Sequence, residues 1–125
     1  MSRVFGAAAK VALAMLILLA GVGSALAHAH LSRSEPVGGR MLHAAPREVR
    51  IWFSEALEPK VSSIEVLNAR GERVSLGDAE VDADDPTQLF VKLAPIGPGS
   101  YRVRWRATSA DTHVTRGAFM FAIGP

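Results

Sequence analysis

From Tyr101 to Ala107 every second residue is apolar (Tyr101, Val103, Trp105, Ala107), and every intervening residue is arginine (Arg102, Arg104, Arg106). A segment that alternates so strictly has no apolar helical face. As a strand it buries one side and wets the other. The same period recurs along the chain. Val49, Ile51 and Phe53 alternate with Arg50 and Trp52, Val61 to Leu67 sets Ile64 and Val66 on one face, and Leu89, Val91 and Leu93 line another. Phe119, Phe121 and Ile123 supply a last strand. Asn68-Ala69-Arg70-Gly71 reads as a turn into a short return strand, Val74 to Leu76, and Pro95 to Gly99 as a tight connection. Gly77 to Thr87, with Asp78, Glu80, Asp82, Asp84 and Asp85, is expected to be a solvated acidic loop. About seven short strands at spacings near 8–12 residues describe an all-β sandwich. Tyr101 and Trp105 belong to its core, and the three arginines form a solvated stripe that an acidic partner could use.

Upstream of the strands lies a different kind of segment. Arg3 and Lys10 precede an almost continuous apolar run, Val11 to Ala20, and Ala25-Leu26-Ala27 ends it with small residues where signal peptidase reads them. Residues 1–27 are therefore expected to be a cleaved signal peptide. The alternative is an uncleaved anchor, since Val11 to Ala27 is close to the lower limit of roughly 17–25 residues that spans a bilayer. The small residues favour cleavage. Of 125 residues, 98 then remain, enough for one small domain with one core. The 14 Lys and Arg lose Arg3 and Lys10, leaving 12 against 12 Asp and Glu. The basic pI of the precursor is thus no argument for a nucleic-acid partner.

The chain contains no cysteine. A small exported domain without disulfides relies on packing, bound metal, or both, and thiolate metal sites are excluded.

Cleavage after Ala27 would make His28 the first residue, with an α-amine and an imidazole in one residue. Asp111-Thr112-His113 lies between the last two strands. In extended backbone, residues two apart point to the same side, so Asp111 and His113 are expected to face one point with Thr112 turned away. Two imidazoles, an amine and a carboxylate suit copper(II) better than zinc. His30 leaves an alternative open: a free amine with histidine at the third position can bind copper(II) through backbone amides. His30 could equally be a further ligand at the start of the first strand. Glu55, at a strand end, is a further possible ligand, and His43 is expected in an exposed turn. Ser109, Asp111 and His113 are too close in one stretch for a hydrolytic relay, and no oxyanion motif accompanies them.

These residues in this order resemble the CopC family of periplasmic copper-binding proteins. The carriers are His28-Ala29-His30-Leu31, Ser34-Glu35-Pro36, Ala45-Pro46, Phe53-Ser54-Glu55, Pro98 to Trp105, Ser109 to His113, and Gly117. The resemblance implies a Greek-key β-sandwich or barrel, cupredoxin-like or Ig-like, over residues 28–125, binding one copper(II) per chain. It implies His28, Asp111 and His113 as metal ligands and Glu55 as a neighbouring carboxylate. It also implies a role in copper resistance or uptake, beside an inner-membrane partner of the CopD type. Some members carry a methionine-rich loop for copper(I). No methionine lies between Lys60 and Gln88, and Met41 and Met120 are expected to be apolar packing residues, so no copper(I) site is expected.

The expected function is a non-catalytic copper(II) carrier or buffer in the periplasm, with no membrane insertion after cleavage. A copper oxygenase with an N-terminal histidine brace is one alternative; Asp111 would close the position oxygen needs. A metal-free structural β-module is the other, and it leaves the histidines unexplained.

Overall fold

The computed structural model describes residues 28–125, so the leader expected over residues 1–27 lies outside the described residues. Eight strands form two four-stranded sheets. They are β1 (Leu31–Glu35), β2 (Met41–Leu42), β3 (Glu48–Phe53), β4 (Ser63–Leu67), β5 (Ser75–Val81), β6 (Gln88–Leu93), β7 (Gly99–Thr108) and β8 (Val114–Ile123). One sheet runs β1-β3-β6-β5 and the other β2-β8-β7-β4. The β5–β6 and β7–β8 pairs are antiparallel hairpins, and the remaining connections cross between sheets in a Greek-key sandwich.

The alternation in sequence is the alternation of burial. Along β3, Val49, Ile51 and Phe53 point inward and are buried, and along β6 Leu89, Val91 and Leu93 do the same. They meet Ile64 and Val66 of β4, Val103 and Ala107 of β7, and Phe121 and Ile123 of β8. Each large apolar side chain sealed here contributes about 1.5–3 kcal/mol. Tyr101 is buried as expected, stacked on Phe121 at 5.3 Å, with its hydroxyl donating to the Gly97 carbonyl at 2.6 Å. Trp105 is half-buried against the core, its ring edge-on to Phe53 at 5.1 Å.

Three expectations are corrected. The acidic stretch is not all loop, because β5 runs on to Val81, pairing Glu80 with Phe90 and Val81 with Leu89. Ala79 and Val81 pack on the core, while Asp78 and Glu80 stay exposed along a sheet edge, where charge deters unwanted pairing. The true loop is tied by its own carboxylates, with Asp82 Oδ2 accepting from the amides of Asp84 and Asp85. The strand expected from Val61 begins only at Ser63, after a 3-10 turn over Pro59–Val61. Met41 and Met120 are not packing residues: they are 61% and 53% exposed. Met120 lies between the inward-facing Phe119 and Phe121, and Met41 pairs with Ala122 in the parallel β2–β8 contact.

Candidate metal centre

One pole of the sandwich is built from three segments: residues 28–30 ahead of β1, residues 54–58 after β3, and the β7–β8 turn over 109–113. They are sewn together through the backbone. Glu58 N–H donates to the Thr108 carbonyl, Ala110 N–H to Ala56, and Leu57 bridges Ser109.

Residues 28–30 are held from both sheets. Ala29 is fully buried and plugs the end of the core. Thr115 Oγ1 on β8 donates to the Ala29 carbonyl at 2.6 Å. From the other sheet, Ser54 Oγ accepts from His30 N–H at 2.9 Å and donates to the His28 carbonyl at 3.2 Å, and Ser54 N–H donates to the His30 carbonyl at 2.8 Å. This clamp lays His28 against His113, with ring centroids 4.4 Å apart and planes at 21°.

Asp111 and His113 do meet, but not by the expected route. The segment is a turn in which Ser109 N–H donates to the His113 carbonyl and Thr112 N–H to the Ser109 carbonyl. Thr112 takes φ of 69°, a left-handed conformation unusual for a β-branched residue. The tight turn brings Asp111 Oδ2 to 3.0 Å from His113 Nδ1. The buried Ser109 hydroxyl donates to Asp111 Oδ1. That hydroxyl above all, opposed by desolvation and helped by His113, holds the exposed Asp111 carboxyl below the ordinary carboxylate range. The carboxylate rather than the imidazole sits on the hydroxyl, the reverse of the order a nucleophilic relay needs.

His30 is exposed, its ring centroid 6.2 Å from that of His28. Its amide is occupied by Ser54 and the preceding Ala29 is buried, so a chelate through the amides of residues 28–30 requires that segment to leave the clamp. Glu55 is exposed beside Ser54, and no ion pair or side-chain hydrogen bond engages it among the described residues. His43 is exposed in a bend directly after β2, as expected.

Among the described residues no three His, Asp or Glu side chains converge as a ready ligand cluster. The donors present are a stacked imidazole pair and one carboxylate, and a fourth donor, the His28 amine, is created only by cutting the Ala27–His28 bond. This set fits a metal that accepts nitrogen and oxygen ligands. Ser54, Ala29 and Thr115 were not singled out from the sequence as positioning groups. Ser109 enters there only as part of the Ser109–His113 motif and of a discounted relay, not as a positioning group.

A Greek-key sandwich with a clamped histidine pair at one pole is a β-domain built to present donors at its surface. The model of the CopC domain matches residues 31–124, and the chain belongs to the CopC family. Protein YobA of Escherichia coli (strain K12) is 33% identical over 115 residues, covering 91% of this chain and 93% of that one. The crystal structure of CopC from Methylosinus trichosporium OB3b is similar with a TM-score of 0.73 at 32% identity, over 78% of this chain and 95% of that one. PcoC, a methionine-rich copper resistance protein from Escherichia coli, is similar with a TM-score of 0.67 at 31% identity, over 78% and 99% of the two chains.

Proposed function

We propose that this protein is an exported, non-catalytic copper(II) carrier or buffer serving copper resistance or homeostasis. In this reading the leader is removed after Ala27, in the periplasm, and His28 supplies its amine and imidazole. His113 supplies the second imidazole and Asp111 a carboxylate, for one copper(II) per chain. The observation that carries it is the contact of His28 with His113, enforced by Thr115 and Ser54 from opposite sheets. Kinship with a copper resistance protein supports copper as the cargo. Nitrogen and oxygen donors without thiols favour the divalent ion.

Each residue has a distinct part. The Ser109 hydroxyl keeps Asp111 ionised and aimed at His113. Ala29 seals the core so that His28 cannot withdraw without exposing it. The His113 and Asp111 side chains are 55% and 39% exposed, so an incoming ligand on a partner can reach the cargo by stepwise exchange. His30 and Glu55 stand outside the first set of donors. A CopD-type inner-membrane protein is the proposed recipient.

Mass spectrometry of the exported protein fixes the first residue and is expected to find His28. Copper(II) isotherms and electron paramagnetic resonance on chains beginning at His28, or at one extra residue before it, then test the chelate. The longer form is expected to bind much more weakly, since its amine is displaced. Equal affinity and identical spectra would exclude the amine. Unchanged spectra in His113→Ala would place copper in the local chelate of residues 28–30.

A further inference from the structure

The sandwich is open along one side, and that opening has a charge. β1 is an edge strand paired only with β3, and facing it β8 is covered by β2 only at Ala122 and Ile123. Between β1 and the uncovered part of β8 lies a cleft of about 490 Å³, with an apolar lining that includes Leu31, Val37, Trp105 and Phe119. On the other side of β1, over the outer face of its sheet, lies a groove of about 680 Å³. Four arginines line this groove against two carboxylates, Glu35 and Glu48. Arg50 is neutralised by Glu48 at 2.9 Å and Asp82 at 3.1 Å, whereas Arg33, Arg40 and Arg47 form no ion pair among the described residues. The Arg33 guanidinium carbon lies over the Trp52 ring, 3.9 Å from its centroid. A guanidinium held by its face keeps its N–H edge free for a carboxylate.

A strand added beside β1 would send alternate side chains to these two places. One set would enter the apolar cleft between the sheets, and the other would lie over the basic groove. We propose that the β1 edge docks an extended segment of a protein partner in which acidic and apolar residues alternate. Arg33, exposed on this strand, discourages pairing with a basic or wholly apolar edge. A phosphate-bearing membrane fits less well, because the groove is concave and carries Glu35 and Glu48 among its arginines. Because β1 follows directly on residues 28–30, a docked strand would end beside the histidine pole, but the docking surface stands whatever that pole binds.

The test uses the 15N-labelled chain beginning at His28 and a capped seven-residue peptide of alternating glutamate and valine. Amide shifts are expected over residues 31–37, with shifts of the Trp52 and Trp105 indole N–H groups. Binding is expected to weaken at least tenfold in Arg33→Glu and to fall steeply with salt. Arg33 is exposed, and the variant's spectrum reports whether it stays folded. A lysine–valine peptide is expected to leave the spectrum unchanged. No shifts at millimolar peptide, shifts on another face, or unchanged affinity in Arg33→Glu would each overturn the proposal. So would binding of phosphatidylglycerol vesicles through Arg33 without peptide binding. Concentration-dependent shifts at β1 in the protein alone, abolished by Glu80→Lys on β5, would assign the edge to a second copy instead.

Discussion

The Thr115 hydroxyl on β8 donates a 2.6 Å hydrogen bond to the carbonyl of Ala29, which is fully buried. That bond and the Ser54 contacts place His28 over His113 from two different sheets. Position at this pole is therefore a property of the sandwich rather than of the histidine-bearing segment.

Thr115→Val keeps the shape and removes the donor, leaving the Ala29 carbonyl unsatisfied by it. A stability loss of about 1–2 kcal/mol is expected in urea unfolding. Ser54→Ala is expected to cost a similar amount. In both variants copper(II) affinity should fall, and the paramagnetic spectrum should shift toward that of His113→Ala. Stability loss with an unchanged spectrum would separate the clamp from the metal.

Thr112 sits at φ 69° in the turn that joins Asp111 to His113. Asparagine tolerates this conformation far better than a β-branched residue. Thr112→Asn is expected to raise stability by about 0.5–1 kcal/mol, read as a higher melting temperature. The Asp111–His113 contact should survive, because backbone bonds set the turn.

Strands β3, β6 and β7 were legible because apolar residues recur at every second position and turn toward the core. Of β5 only the start, within Val74 to Leu76, was legible, since the rest of its inward face is carried by Ala79 and Val81 in a stretch with five acids, and local composition outweighed the period. β2 has two residues and owes its existence to a parallel partner at the far end of the chain, so no local pattern announces it. The pairing of Asp111 with His113 was expected on extended backbone and arises on a turn instead. The Thr115 and Ser54 bonds join residues far apart in sequence, and nothing local marks a threonine or serine for such a task.

Gly117 faces Trp105 across the β7–β8 pair, and a Cβ there would lie 2.6 Å from indole Cε2. Gly117→Ala is expected to displace the ring and cost about 1–3 kcal/mol, with a changed tryptophan emission. Trp105→Leu in the same chain should recover part of that loss, and the double-mutant cycle measures the coupling. Purely additive costs would show that the indole is not what excludes the side chain.

Asp85 gives the pH dependence its sign. Its carboxylate accepts from Thr87 Oγ1 at 2.6 Å, from Thr87 N–H at 3.0 Å and from Gln88 Nε2 at 2.9 Å. These bonds, led by the Thr87 hydroxyl, hold its pKa below the usual 3.8. With the folded value below the unfolded one, its contribution is complete above about pH 4 and is lost as pH falls through the folded value. A carboxyl-carbon NMR titration should find the Asp85 midpoint below that of an exposed aspartate. In Thr87→Val the midpoint should rise, and stability should decline less steeply below about pH 4. An unmoved midpoint would show that the hydroxyl does not hold the charge, leaving the Thr87 amide and Gln88 to do so.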